Sequence, residues 1–159
     1  MSLDSYRGLL SDFGGAIGLA DLAPDEEGYC ALTFDDLPVH LQHDPEKDEI
    51  VAFSRIGTAD EDRLEGIYGM LLGANLFWQG ARGATLSVEP YTSTVFIADR
   101  RPAGLSDAIF REWLGEFVEI AEFWQGRLAR VNAGGPIDEA DETPTADRAT
   151  PGGDYLVRA

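Results

Sequence analysis

Between Tyr29 and Ile56 apolar side chains fall on every second residue, and only short polar turns separate the runs. Cys30, Leu32 and Phe34 alternate with Tyr29, Ala31 and Thr33, and Val39 and Leu41 alternate with His40 and Gln42. A period of two belongs to a half-buried strand and does not fit a helix. Asp35-Asp36-Leu37-Pro38 turns the chain between the first two strands, and a polar loop from His43 to Asp48 leads to a third, Glu49 to Ile56. Connections this short join antiparallel neighbours, so the segment reads as a three-strand meander. The third strand is apolar on both faces, with Ile50 and Ala52 on one and Val51 and Phe53 on the other. Either a second layer covers the far face, or that face receives a partner.

Around the meander the period becomes helical. Tyr6, Leu9, Leu10, Phe13, Ala16 and Ile17 share one face of a helix over residues 4–19, which Gly14, Gly15 and Gly18 weaken by about 1 kcal/mol each relative to alanine. Packing must therefore hold it, and the glycines allow another backbone to come close. Thr58-Ala59-Asp60-Glu61 has the form of a capping box, opening a helix that carries Leu64, Ile67, Tyr68, Leu71, Leu72, Asn75 and Leu76 and runs to about Trp78. Two further strands follow, Thr85 to Val88 and Thr94 to Ala98, then a loop at Arg100–Gly104. Ser106 caps a last helix whose wide apolar stripe includes Phe110, Trp113, Phe117, Ile120 and Trp124. The order is α-β-β-β-α-β-β-α, an α+β fold with helices packed on an antiparallel sheet.

Val131-Asn132-Ala133-Gly134-Gly135-Pro136 stops that helix, and residues 132–159 are then mostly Asp, Glu, Thr, Pro, Ala and Gly. Such a composition reads as a disordered acidic tail following a domain of residues 1–131. The chain of 159 residues carries 29 acidic and 12 basic side chains, a net −17, of which −4 lies on the tail and −13 on the remainder. A surface of this sign repels phosphate, which argues against nucleic acid and anionic membranes and favours a cationic peptide. No apolar run suggests a membrane span, the N-terminus lacks a secretory signal pattern, and a lone cysteine, Cys30, fits the cytoplasm.

Chemistry-bearing constellations are missing from the sequence. His40 and His43, three apart, point to opposite faces of a strand and read as a surface strand-and-loop pair rather than a metal site. Cys30 reads as a buried, inert thiol. Gly14-Gly15-Ala16-Ile17-Gly18 lacks the dinucleotide pattern and lies in a helix. Asp35-Asp36 reads as a turn former, and Glu112, Glu116 and Glu119 as a solvated helix face. No enzyme, no cofactor and no metal is expected.

The stretch from Met70 to Pro90, with Leu71-Leu72-Gly73-Ala74-Asn75-Leu76 at the end of a helix, a glycine-bearing loop and the short strand Thr85–Val88, resembles the centre of class I type III secretion chaperones, the Tir chaperone (CesT) family. Gly18-Leu19 with Leu22, then Asp25 to Phe34 with Gly28 and Cys30, Ile56-Gly57 before the second helix, and Phe123-Trp124 in the last one follow in the family's order. The resemblance spans residues 5–130; the acidic tail departs from it. It implies a small, acidic, cytoplasmic homodimer that holds the N-terminal segment of a secreted effector in a non-globular form, with the ATPase of the secretion apparatus as a further partner and no nucleotide or metal of its own. Carried over by position, it implies a two-fold interface at Leu72, Leu76, Phe77, Trp78, Leu86 and Val88. It further implies effector grooves between the first helix and the first three strands, at Phe13, Ile17, Leu32, Val39, Leu41, Val51 and Phe53. Within that list Phe13 and Leu32 read equally well as core, and Val51 and Phe53 are the better-discriminated pair. Other readings stay open: a regulator of the same fold that sequesters an activator or anti-activator, an interaction module unrelated to secretion, and an acidic mimic that occupies a basic site.

Overall fold

The computed structural model describes residues 1–138 and the backbone of residues 157 and 158. The elements are α1 (Leu3–Ile17), β1 (Tyr29–Phe34), β2 (Leu37–Asp44), β3 (Glu49–Thr58), α2 (Leu64–Asn75), β4 (Thr85–Glu89), β5 (Thr94–Pro102), α3 (Asp107–Asn132) and β6 (Val157–Arg158). The strands form one antiparallel sheet in the order β4-β5-β3-β2-β1-β6. This is the α+β order expected from the sequence, with a two-residue strand added at one edge.

Register sorts the two faces. Leu32 stands opposite Val39, Leu41 opposite Ala52, and Ser54 opposite Ile97, so these alternating residues all share one face of the sheet. That inner face carries Cys30, Leu32, Phe34, Leu37, Val39, Leu41, Ile50, Ala52, Ile56, Leu86, Val95 and Ile97, all buried. Helices α1 and α3 cover it. Phe13 of α1 meets Phe110 of α3 edge-on at 5.5 Å, and Tyr6 of α1 stacks on His43 of β2 at 5.2 Å. Eleven residues of α3 are buried; they include the stripe from Phe110 to Trp124 and continue through Arg127, Leu128 and Val131, while Ile109, which the period also puts on that stripe, is exposed.

Glycine permits the tight entry to β1. A Cβ on Gly14 would lie 2.4 Å from the Leu19 carbonyl oxygen and 2.6 Å from the Leu22 Cβ, so the chain leaving α1 folds back onto the helix only over a bare Cα. Gly18, at φ 83°, makes the left-handed turn that ends α1.

Several boundaries differ from expectation. His43 is not in a loop: β2 continues to Asp44, and the His43 ring is 2% exposed beneath Tyr6. Strand β5 runs through Arg100 and Arg101 to Pro102, because Glu49, Ile50 and Val51 offer it a continuous partner. The capping box at Thr58 does not form, since Thr58 is still paired with Thr94; Asp60 instead caps a 3-10 turn, Glu61–Arg63, that leads into α2, accepting from the Asp62 N–H at 3.0 Å. Regular helix ends at Asn75, and Leu76–Trp78 form a 3-10 turn. Of the segment read as a disordered tail, residues 133–138 turn back over α2, where Ile137 packs on Gly66 and its carbonyl accepts from Arg127 at 2.9 Å. Val157 and Arg158 pair with β1, and that reading of residues 139–156 lies outside the described residues.

Candidate functional site: two uncovered apolar surfaces

One surface is built on α2 and the turn after it. Tyr68 and Leu72, four apart, share a face of α2, and Leu76, Phe77 and Trp78 continue it. Leu72 is 70% exposed, Phe77 75% and Trp78 56%. Gly69 and Gly73, with nothing within 4 Å of where a Cβ would stand, leave an open groove along the helix, while Ile137 fills the space over Gly66. Phe77 and Trp78 both adopt positive φ, 52° and 56°. For bulky side chains that region is an outlier costing on the order of 1–2 kcal/mol per residue. The cause is visible in the packing. Gly80 returns against Ala74, where a Cβ would lie 2.7 Å from the Ala74 Cα, its N–H donates to the Ala74 carbonyl, and its own carbonyl accepts from Trp124 Nε1 at 2.9 Å. A chain anchored so tightly at Ala74 and Gly80 must turn sharply between them, and the turn thrusts both aromatic rings into solvent.

Asn75 locks this region to the sheet. Its Nδ2 donates to the Leu86 carbonyl at 2.8 Å and its Oδ1 accepts from the Leu86 N–H at 2.9 Å. The side-chain amide thereby closes the outer backbone edge of β4, which as an edge strand would otherwise be open there. Leu86 itself points inward and is buried, a correction to its place in the expected interface: it supports β4 from beneath. Val88 is half-buried at the same strand.

The second surface is the outer face of the sheet, on which no described helix packs. Ala31, His40, Phe53, Ala98 and Thr85 form one row across it. His40 stacks between Tyr29 at 5.9 Å and Phe53 at 4.9 Å, and the Tyr29 hydroxyl lies 2.7 Å from His40 Nδ1. Val51 and Phe96 flank the stack, and all five side chains are half-buried. Burial holds the His40 pKa below its ordinary value. Val51 and Phe53 share this outer face, behind the sheet from α1 and not between α1 and the strands as expected.

Phe13, Leu32, Val39 and Leu41 are not groove residues in this structure. Each is 5% exposed or less, because the alternation that groups them puts them on the face covered by α1 and α3. Ile17, near the end of α1, is half-buried and packs at the rim of the core. Tyr29 and His40, which complete the stack on Phe53, and Phe96 beside it escaped the sequence reading, since single aromatics alternating with polar residues look like an ordinary solvated face. A signal was nonetheless present: of the five aromatic or imidazole rings in β1 to β3, the three at Tyr29, His40 and Phe53 fall on that one face. Cys30 is buried, with its thiol pKa raised by burial and then by Asp25. His40 and His43 lie on opposite faces, and no cluster of three metal-ligating side chains occurs among the described residues. No described helix is long and apolar enough to cross a membrane.

An antiparallel sheet with helices on one face and two apolar surfaces left bare is the fold of the type III secretion chaperone class. The chain belongs to the Tir chaperone protein (CesT) family, whose model matches residues 8–125. It is 31% identical over 127 residues to the transcriptional anti-antiactivator ExsC of Pseudomonas aeruginosa, covering 76% of this chain and 83% of that protein. The fold is similar to that in the crystal structure of the ExsC–ExsE complex, with a TM-score of 0.70, 27% identity and coverage of 79% of this chain and 95% of that one. It is similar as well to the Yersinia pestis type III secretion chaperone SycH, solved with a stable fragment of YscM2, with a TM-score of 0.56, 25% identity and coverage of 74% and 98%.

Proposed function

We propose that this chain acts in the cytoplasm as a homodimeric secretion chaperone, without catalytic activity, that binds the N-terminal segment of an effector and keeps it non-globular. The observation that carries the reading is the bare outer face with its half-buried stack of Tyr29, His40 and Phe53 beside Val51. A folded client has no use for such a strip, whereas an extended segment can lay apolar side chains along it while its backbone pairs with a sheet edge. Each apolar anchor contributes about 1.5–3 kcal/mol on burial, so several are needed to offset the ordering of the client. Ile17, Val51 and Phe53 are the contacts retained from the sequence; Phe13, Leu32, Val39 and Leu41 shape the sheet from the inside. The net charge of −17 favours a client with a basic segment.

Leu72, Leu76, Phe77 and Trp78 supply the self-association surface. Four large apolar side chains so exposed on one face are unusual on a monomer, a two-fold axis through them would bury both copies, and Gly69 and Gly73 of α2 let the helices approach. Light scattering after size exclusion tests it: Trp78→Glu should give a protomer where the native chain gives a dimer. A dimer in both would refute the assignment. Client binding is tested by co-purification with the first hundred or so residues of secreted proteins encoded nearby. Val51→Asp with Phe53→Ser should abolish capture and leave the dimer intact; undiminished capture would remove the outer face from the mechanism.

The likeness to ExsC, named an anti-antiactivator, favours a second reading in which the same surfaces sequester a regulator of transcription. Recovery of a transcriptional protein in place of an export leader would select it.

A further inference from the structure

The two edges of the sheet are closed differently. At β4 the Asn75 amide caps Leu86, whereas at β1 the neighbour is the C-terminal strand β6, with Thr33 opposite Arg158 and Phe34 opposite Val157. The phase of the β1–β2 ladder fixes which backbone groups look toward that edge. Thr33 stands opposite Pro38, which has no N–H, so the two form a non-hydrogen-bonded pair and the Thr33 peptide groups point away from β2. Ala31 and Tyr29, two and four residues earlier, point the same way. Those of Tyr29 are already engaged: its N–H donates to Asp25 Oδ1 at 2.8 Å and its carbonyl accepts from the Asp25 N–H at 2.8 Å. Thr33 and Arg158 are then the hydrogen-bonded pair of the β1–β6 ladder. Ala31, which is exposed, is left as the outward-facing residue of β1 without a strand partner among the described residues.

We propose that the chain's own C-terminal strand β6 occupies the β1 edge as an intramolecular stand-in, so that a client strand pairing there must first displace it. This rests on the chaperone reading and narrows it to one edge and one competitor. A two-residue ladder is weak by itself, but tethering raises the local concentration of β6 to the millimolar range, enough to hold a weak contact. A longer client strand gains what β6 does not use. It pairs first at Ala31, then takes Thr33 from Arg158. Its register also matters: the residue opposite Ala31 extends the row of His40 and Phe53, so alternate client side chains lie along the aromatic stack. The client is therefore an extended segment, apolar at every second residue, long enough to cover Ala31 and Thr33 together.

The full-length chain carrying Arg158→Pro lacks the N–H that pairs with the Thr33 carbonyl; Arg158→Ala keeps it and serves as control. Two readouts follow, amide hydrogen exchange at Ala31 and Thr33, and binding of a synthetic peptide of residues 151–159 added in trans. In the native chain and in Arg158→Ala, Thr33 should exchange at least about tenfold more slowly than Ala31; in Arg158→Pro the two rates should converge. The peptide should bind Arg158→Pro at least about tenfold more tightly than the native chain and restore slow exchange at Thr33. Thr33 exchange that is indifferent to Arg158→Pro, or a peptide that binds both chains alike or neither, would overturn the proposal. No client enters either readout, so failure here leaves the Val51 and Phe53 test standing. Failure of that test, with these results obtained, removes the chaperone reading and keeps the self-occupied edge.

Discussion

Replacing Asn75 by alanine isolates the contact that joins the two halves of the α2–β4 surface. The amide makes two hydrogen bonds to one peptide unit, with Leu86 N–H and C=O at 2.9 and 2.8 Å, and Leu86 is 3% exposed. Each bond is worth about 0.5–1.5 kcal/mol net, and a buried partner left unsatisfied costs about 1–3 kcal/mol. Water reaches an edge strand in part, so the sum for Asn75→Ala falls at roughly 2–4 kcal/mol. In a domain of this length that lowers Tm by roughly 4–16 °C. Urea titration should show a lower midpoint with unchanged slope, because the fold and its exposed area stay the same. Titrations at two protein concentrations separate loss of fold from loss of self-association. Asn75→Asp sharpens the test: it keeps an acceptor for the Leu86 N–H but sets a second oxygen against the Leu86 carbonyl. It should be at least as destabilised as alanine at neutral pH and recover on acidification, when the carboxyl can donate. A loss below about 0.5 kcal/mol for Asn75→Ala would refute the clamp.

Two further predictions concern pH. The Glu122 carboxyl is pushed above the usual carboxylate range by burial and then by Asp35 and Glu119. A raised pKa means the folded chain binds the proton more readily, so stability falls as pH rises through it; Glu122→Gln should stabilise at about pH 7.5 and gain nothing at about pH 3.5, by thermal melting. The His40 pKa is lowered by burial, so the unfolded chain takes up its proton first and stability is lost as pH drops below the ordinary 6.5. The native chain should lose stability between about pH 7 and pH 5 relative to His40→Gln, and parallel curves would exclude His40 as the cause.

Period was the legible part of the sequence, and burial the illegible one. The alternation at Cys30 to Phe34 and at Val39 to Leu41 yields strands without ambiguity, and the stripe from Phe110 to Trp124 yields α3. Which face the helices cover is a matter of register: Leu41 pairs with Ala52, not with Val51, so Leu32, Val39 and Leu41 share the inner face and Phe53 stands behind it. No local signal carries that fact. His43 misled because imidazole counts as polar, though here it packs under Tyr6 as an aromatic. Thr58 has a proper capping sequence, but the ladder to Thr94 claims its backbone first. Leu76-Phe77-Trp78 reads as more helix, and only the contact of Gly80 with Ala74 forces the left-handed turn. The partner surfaces were half legible for the same reason: Leu72 and Trp78 stand out by spacing, while Asn75 and the β1 edge depend on what lies across from them.

The charge and the apolar patches pull the two associations in opposite directions. Each protomer carries a net −17, so bringing two together is opposed by a field that salt screens, with a Debye length near 8 Å at about 0.15 M and about 3 Å at 1 M. The proposed pairing rests on burial of Leu72, Leu76, Phe77 and Trp78, a drive that is insensitive to screening. Raising salt should therefore tighten the dimer. Capture of a basic client gains from the same field, so raising salt should slow its association, in the rate of binding more than in the rate of release. The two trends can be read on one sample, by sedimentation for the dimer and stopped-flow fluorescence of a dye-labelled client for capture. A dimer weakened by salt would place ion pairs at the α2 surface where the structure has leucine, phenylalanine and tryptophan. A client rate indifferent to salt would mean that the acidic surface serves solubility alone.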